Sequence, residues 1–568
     1  MIRRMNGVKR ECDYPILRDG DIIAVTDEEK ANVLAKTFVK VHSSGNVGEE
    51  GRRGRDMTIA ENRDLMDLVG DTDDSLNILF TKTELHRVLQ KSKLSAPGKD
   101  QVCYTMLNQL SESAKDLLLE LYNRVWEDGK LPQSWKEAVV VPIRKPGKDV
   151  TNPGNFRPIA LTSHVCKVMD RMITERLTYY LETRGFISKY QSGFRRGRNT
   201  MDPVLCLEHE VRKAQTNSES VVAVFFDIEK SYDMLWRDGL LIKLCKLGIR
   251  GRMYGWIMDF LKGRHIQVRI GKVFSERFLV ENGTPQGSIV SPLLFSLMID
   301  DVFNDIEAGV GCSLFADDGA IWKRGKNIEY IVKKLQGTIR RVEEWSYKWG
   351  FKFSVDKTKV MFFTRKRVVK DVKLKLYDQE LERVSKFKFL GLWFDERLTW
   401  AAHIQKVVDK CKKVLNIMRC LVGRNWGVDR KSLRAIYTGL VRSLLDYGCV
   451  AYNSAAETTL VKLDHIQYQA LRICTGAFKT TPTAALEVEM GEMPLGLRRE
   501  QLILNYWANL QGHRQDHPTH EVLKPCWEKE RRETKSFGWI VGRQATEFNL
   551  DQLNISHSCK GGRKTWGG

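Results

Sequence analysis

The chain has no Cys-x-x-Cys pair and no ladder of cysteines and histidines. Its 12 cysteines stand singly along 568 residues, which excludes a zinc module and a disulfide framework and fits a reducing compartment. No apolar run is long enough to span a bilayer, so no membrane-spanning segment is expected. The opening Met1-Ile2-Arg3-Arg4-Met5-Asn6-Gly7 is not followed by an apolar stretch. No signal peptide is read, and an intracellular place, nuclear or cytoplasmic, is expected. There is no internal repeat and no long low-complexity tract. Acidic residues are in deficit: 71 Asp and Glu face 92 Lys and Arg, a formal net charge of +21. That excess favours polyanions, either nucleic acid or an anionic membrane surface. What is present is apolar material, 42% of the chain, enough for sizeable cores in roughly 3 to 4 domain-sized units.

Hydrophobic spacing organises the chain. Ala31 to Val41 has helical spacing, whereas Ser43 to Arg55, rich in Gly, Glu and Arg, reads as a mobile loop. Leu85, Val88, Leu89, Met106, Leu110, Leu117, Leu118 and Leu121 recur at helical intervals, with a turn at Lys93 to Asp100. Val139 to Ile143 and Arg157 to Leu161 read as strands flanking the basic loop Arg144-Lys145-Pro146-Gly147-Lys148-Asp149. A helix is expected from about Ser163 to Thr183. The continuous run Val221-Val222-Ala223-Val224-Phe225-Phe226 suits a strand buried on both faces. Ser291 and Pro292 are suited to the cap and first position of a helix near 288 to 304. The dipeptide Asp318-Gly319 predicts a tight hairpin turn. Helices are expected from Ile328 to Trp349 and from His403 to Ala485, and the tail beyond about Gln515 is expected to be loose.

Two acidic stretches carry the chemistry. Phe226-Asp227-Ile228-Glu229-Lys230-Ser231-Tyr232-Asp233 ends one apolar run, and Phe315-Ala316-Asp317-Asp318-Gly319 lies inside an apolar hairpin. A lone pair of aspartates is commonly a solvated turn. Here both acidic stretches follow strands of apolar residues, where charge repulsion is costly unless a cation relieves it. Strands set side by side would offer hard oxygens to Mg²⁺ or Mn²⁺, the donor set of a phosphoryl-transfer site. Pro285-Gln286-Gly287-Ser288 lies between them, an order that fits a nucleotide polymerase.

The order of motifs resembles the reverse transcriptase domain of non-LTR retrotransposons, in particular the jockey and I-type long interspersed elements. The resemblance covers roughly 80 to 510. It rests on Ser95-Ala96-Pro97-Gly98-Lys99-Asp100, Asn155-Phe156-Arg157-Pro158-Ile159, Gln191-Ser192-Gly193-Phe194-Arg195, the two acidic stretches and Gly283-Thr284-Pro285-Gln286-Gly287-Ser288. Val355-Asp356-Lys357-Thr358, Phe389-Leu390-Gly391, Leu445-Asp446-Tyr447-Gly448 and Thr480-Thr481-Pro482 continue it. Lys99, Ser231 and Asp356 depart from the usual Pro, Ala and Asn, and Asp356 weakens the case for its neighbour Lys357.

The resemblance implies an α+β right hand, with an antiparallel palm sheet, fingers and a helical thumb. It implies a partly disordered lead-in at 1–80, fingers and the start of the palm at 81–215, palm at 216–395, thumb and following region at 396–510, and a polar tail at 511–568. Asp227, Asp317 and Asp318 would be catalytic carboxylates and, with the carbonyl of Ile228, metal ligands. Lys357 would protonate the leaving pyrophosphate. Lys145, Arg157, Tyr232, Gln286 and Gly287 would contact the nucleotide, Tyr232 as the ring that excludes a 2′-hydroxyl. Ser288, Phe389, Leu390 and Gly391 would contact primer or template. The implied activity is RNA-directed DNA synthesis from deoxynucleoside triphosphates, on an RNA template and DNA primer, by a retrotransposon or an element-derived gene. An RNA-dependent RNA polymerase and a catalytically silent nucleic-acid-binding protein are the alternatives. Similar elements carry an endonuclease ahead of the polymerase, and some a ribonuclease H behind it. The first 80 residues are too short for the former and the tail lacks an acidic constellation for the latter, so a polymerase fragment is expected. No oligomeric state is read.

Overall fold

The run Ser220–Phe226 forms a strand in which every residue is buried, as its unbroken apolar character requires. It is the centre of a five-stranded sheet in the order Glu382–Arg383, Lys359–Phe363, Ser220–Phe226, Asp318–Gly325, Gly311–Phe315. All pairings are antiparallel except the short edge pair of Lys359–Phe363 with Glu382–Arg383, which is parallel. The computed structural model describes residues 14–67, 75–366, 372–423, 426–512, 517–528 and 536–550. Helices and mixed sheets together make an α+β chain.

The chain divides into two units. The first comprises Met1–Ser188, Ile228–Asn304 and Val342–Phe353, and the second Lys189–Asp227, Asp305–Arg341 and Ser354–Gly568. In the first, Glu137–Arg144 pairs antiparallel with Phe156–Leu161 and parallel with His265–Ile270. The helix Asp27–Val41 covers this sheet. Thr26 and Glu29 close a reciprocal capping box at its start, and Leu34, Ala35 and Phe38 pack with Val140, Val268 and Ile270. Each large apolar side chain fully buried in this way contributes about 1.5–3 kcal/mol. The helix His164–Thr183 begins at Ser163, whose hydroxyl accepts from the Cys166 N–H at 3.4 Å.

In the second unit one apolar core joins the sheet to the helices that follow it. Phe225 of the central strand stacks on Phe387 at 4.6 Å and meets Phe389 at 5.1 Å, both from the hairpin Lys386–Phe389 and Leu392–Asp395. The helices Ala401–Cys420, Glu457–Thr475 and Leu495–Gln511 bury Leu415, Leu471 and Trp507 in the same core.

Four local expectations are corrected. Residues from Glu49 to Glu61 form a helix where a loop is expected from composition. Its glycines suit close packing, since a Cβ on Gly54 would lie 3.2 Å from the Tyr347 carbonyl oxygen. The helix Ser291–Ile299 is capped one residue earlier, because Val290 already has helical-region dihedrals (φ −80°, ψ −26°) and Ser291 makes no cap hydrogen bond. The hairpin turns at Ala316-Asp317 and not at Asp318-Gly319, because Phe315 pairs with Asp318. The tail is not uniformly loose: Pro518–Glu528 and Phe537–Glu547 are helices whose Leu523, Phe537 and Val541 enter the core. The Gly-rich end of the tail lies outside the described residues.

Candidate active site

In the second unit, the register pairs Phe226 with Gly319, so Asp227 follows the strand end beside Asp318. Asp317 occupies the adjoining two-residue turn, with Ala316 in the left-handed region at φ 54°. Burial and then the Asp317 and Asp227 charges push the Asp318 carboxyl up to about 6, against a weaker opposing pull from Lys388. Lys357 Nζ lies 3.1 Å from Asp227 Oδ2. That pair is largely exposed and is worth little to stability. The Asp227 main chain is fixed on both sides, its carbonyl accepting from the Ser354 N–H at 2.8 Å and its N–H donating to Thr358 Oγ1 at 3.4 Å.

The acidic turn is braced by a residue that sequence reasoning gives no role. Gln191 Oε1 accepts from the Ala316 N–H at 3.2 Å and the Gly193 N–H at 2.8 Å. A Cβ on Gly193 would come within 2.3 Å of the Ala316 nitrogen, so only glycine allows that approach.

The crowded carboxylates suit a hard divalent cation. Among the described residues, no three His, Cys, Asp or Glu side chains already converge as a closed metal cage. A Mg²⁺ site commonly uses one or two carboxylates and leaves other positions to water and substrate phosphates. The donor set fits that pattern.

In the same unit, Leu390 and Gly391 form a two-residue hairpin turn with positive φ at both positions, 44° and 88°. Phe389 is buried beneath it. The Tyr447 hydroxyl donates to the Leu390 carbonyl at 2.8 Å, and a Cβ on Gly391 would lie 2.8 Å from the Tyr447 ring.

In the first unit, the stretch Asn282 to Ser288 is clamped along its length. Arg237 donates to the carbonyls of Val280, Gly283 and Asn282 at 2.9, 3.0 and 3.2 Å. The Ala160 N–H donates to the Gln286 carbonyl at 2.9 Å. Gly287 has φ 138°, and a Cβ there would lie 2.2 Å from the Ala160 carbonyl oxygen. Ser288 is buried, and its hydroxyl donates to Asp170 Oδ2 at 2.7 Å. Burial pushes the Asp170 carboxyl up. The Gln286 side-chain amide donates to Asp233 Oδ1 at 2.6 Å.

Tyr232 is half-buried, its ring stacked on Phe295 at 4.2 Å and 22°. Ile228 bridges to Phe353 and buries its side chain. Arg157 is exposed on the strand Phe156–Leu161. Lys145, at the base of the basic loop, donates from Nζ to the Gly154 carbonyl at 2.9 Å. Asp170, Asp233 and Gln191 are the site-supporting residues that sequence reasoning missed. One signal for Asp170 was available: a carboxylate set among apolar helix positions needs a buried partner.

Residues 143–394 match the family described as reverse transcriptase (RNA-dependent DNA polymerase). That matched segment is a reverse transcriptase domain. It is 29% identical over 388 residues to a probable RNA-directed DNA polymerase from transposon BS of Drosophila melanogaster, covering 67% of this chain and 43% of that protein. It is 27% identical over 441 residues to the RNA-directed DNA polymerase from mobile element jockey of the same organism, covering 76% of this chain and 48% of that one. A protein from the R1 retrotransposable element of Bradysia coprophila is 25% identical over 413 residues, 71% of this chain and 40% of its own length. The chain thus spans under half the length of these curated relatives. The acidic strand ends and the Pro285 to Ser288 loop lie inside the reverse transcriptase match. The described residues contain no helix long and apolar enough to cross a membrane.

Proposed function

We propose that this chain is an RNA-directed DNA polymerase of a non-LTR retrotransposon or element-derived gene, extending a DNA primer on an RNA template. The observation that carries the reading is the crowding of Asp227, Asp317 and Asp318 at the ends of paired strands, where burial and then the neighbouring charges raise the Asp318 carboxyl to about 6. In this reading the sheet around Ser220–Phe226 is the palm of a right hand, with fingers before it and a helical thumb after it. The boundaries are those implied by the motif order, 81–215, 216–395 and 396–510.

The reaction joins the primer 3′-oxygen to the α-phosphorus of a deoxynucleotide as the bond to the β-phosphate oxygen breaks. Asp227 and Asp317 would hold Mg²⁺ or Mn²⁺, with Asp318 and the Ile228 carbonyl as further oxygens. Bound there, the cations would supply charge neutralisation to the attacking and leaving oxygens. Arg157 and Lys145 would bind triphosphate oxygens, for which a guanidinium fork is well shaped. Lys357 would deliver a proton to the departing pyrophosphate. Gln286, Gly287 and Ser288 would lie beside the template base and the incoming nucleotide. Phe389, Leu390 and Gly391 would hold the primer end. Tyr232, its ring braced by Phe295, would exclude a 2′-hydroxyl, which favours DNA over RNA synthesis.

Purified protein given a primed RNA template, deoxynucleotides and Mg²⁺ tests this. Extension by the wild type, lost in Asp317→Ala with template binding retained, is expected. Binding without extension by the wild type would support a silent nucleic-acid-binding protein instead. Preferential use of ribonucleotides would support an RNA polymerase.

A further inference from the structure

The Gln286 side chain has one charged partner, and that partner is itself held. Asp233 Oδ1 accepts from Gln286 Nε2 at 2.6 Å and lies 3.6 Å from His42 Nε2. His42 follows the helix Asp27–Val41, and its Nδ1 is 3.0 Å from the Asn282 carbonyl oxygen. The His42 carbonyl accepts from the Asn282 side-chain amide at 3.0 Å and its main-chain N–H at 3.1 Å. The imidazole is therefore fixed to the loop that carries Gln286, and it packs against the carboxylate that Gln286 uses. A Cβ on Gly283 would lie 2.6 Å from the Asp233 carbonyl oxygen and 2.8 Å from His42 Nδ1, which shows how closely the three segments meet. His42, Asp233, Arg237 and Gln286 line one cavity of about 40 Å³.

The loop's path does not depend on Asp233. Arg237 holds the carbonyls of Asn282 and Gly283 and that of Val280 before them, and Ala160 and Asp170 hold Gln286 and Ser288. What the Asp233 carboxylate adds is orientation. A glutamine amide has a donor end and an acceptor end that can exchange by rotation. A charged acceptor on the amine end fixes which way the amide faces.

We propose that Asp233, steadied by His42 from the N-terminal helix, is a positioning residue that aims the Gln286 side chain and thereby sets base selection during synthesis. The proposal rests on the polymerase reading and on Gln286 lying against the nascent pair.

The test compares kcat/KM for the correct and a mismatched deoxynucleotide on a primed RNA template. A shift of about threefold to tenfold in that ratio is expected for Gln286→Ala, and a shift in the same direction for Asp233→Ala. The double variant should shift the ratio no further than Gln286→Ala alone, because Asp233 acts only through Gln286. Asp233→Asn keeps an acceptor oxygen and should stay within about twofold of wild type. His42→Ala should give a smaller shift in the same direction. Asp233→Ser, too short to reach Gln286, replaces the alanine variant if that one does not fold. A ratio moved by Gln286→Ala but unmoved by folded Asp233→Ala overturns the positioning role alone. A ratio unmoved by Gln286→Ala overturns the proposal and the placing of Gln286 against the nascent pair, whereas no extension by wild type overturns the polymerase reading itself. A crystal structure of Asp233→Ala adds a readout independent of turnover: an unchanged Gln286 rotamer contradicts the proposal, and a reoriented amide supports it.

Discussion

The acidic turn of the second unit and the Pro285 to Ser288 loop of the first are held in opposite ways. At the turn, like charges are brought together and only partly answered: Asp318 is crowded by Asp317 and Asp227, and the Lys357 partner of Asp227 is largely exposed. In the loop, the Ala160 N–H and two carboxylates converge on Gln286 and Ser288, one carboxylate meeting each of these two polar side chains. One region carries electrostatic tension that a cation would relieve. The other is preorganised by hydrogen bonds whose cost is met on folding. The difference assigns charge neutralisation to the turn and shape recognition to the loop.

On the loop side of this contrast the largest effect is expected from Gly287→Ala. The new Cβ would strike the Ala160 carbonyl from a backbone conformation that disfavours alanine, costing about 1–3 kcal/mol in strain alone. Extension should fall at least about a hundredfold, on the scale of losing a preorganised contact. Near-wild-type extension would show that the loop is not held as tightly as its contacts indicate.

Tyr232→Ala comes next. It should raise ribonucleotide use relative to deoxynucleotide by about tenfold or more, while Tyr232→Phe leaves the ratio close to wild type. If the ring is only a core aromatic against Phe295, the alanine change costs about 3–5 kcal/mol and lowers both activities together. The ratio in a folded variant decides between them.

Gln191→Ala probes the brace under the acidic turn. It strands the Ala316 and Gly193 N–H groups, at about 1–3 kcal/mol for a buried donor. Thermal denaturation should show a lower Tm, with extension reduced less than by any aspartate variant. An unchanged Tm would remove Gln191 from the account.

The smallest effect concerns pH. The folded Asp318 carboxyl, at about 6, lies above its ordinary 3.8. The folded state therefore binds this proton more tightly than the unfolded one. That contribution is fully present below about 4 and is lost as pH rises through about 6. In chelator, Asp318→Asn should raise Tm slightly at pH 8 and not at pH 4. The residue reaches solvent, so the gain is small. Equal shifts at both pH values would argue against a raised Asp318 carboxyl in the folded state.

Much of the fold was legible because its periodicities are strong. Val221 to Phe226 has to be doubly buried, and Ile328 to Trp349 is a helix as its spacing requires. The errors fell where local signals competed. Asp318-Gly319 is a common turn pair, yet the Phe315 pairing with Asp318 moves the turn by two residues. Ser291 resembles a cap, but Val290 is already in the helical region. The acidic stretches could be read because the aspartates follow the strands they terminate. The supports could not, since His42, Asp233 and Gln286 meet only through the packing of three distant segments.

The most direct test of the account is single-turnover extension by Asp227→Asn, measured beside its affinity for primed RNA. The side chain keeps its shape and loses its charge. If the acidic turn supplies charge and not recognition, extension of matched and mismatched nucleotides should fall together, on the order of 10³-fold, with template affinity preserved. Extension within about tenfold of wild type, or a loss confined to one class of nucleotide, would contradict it.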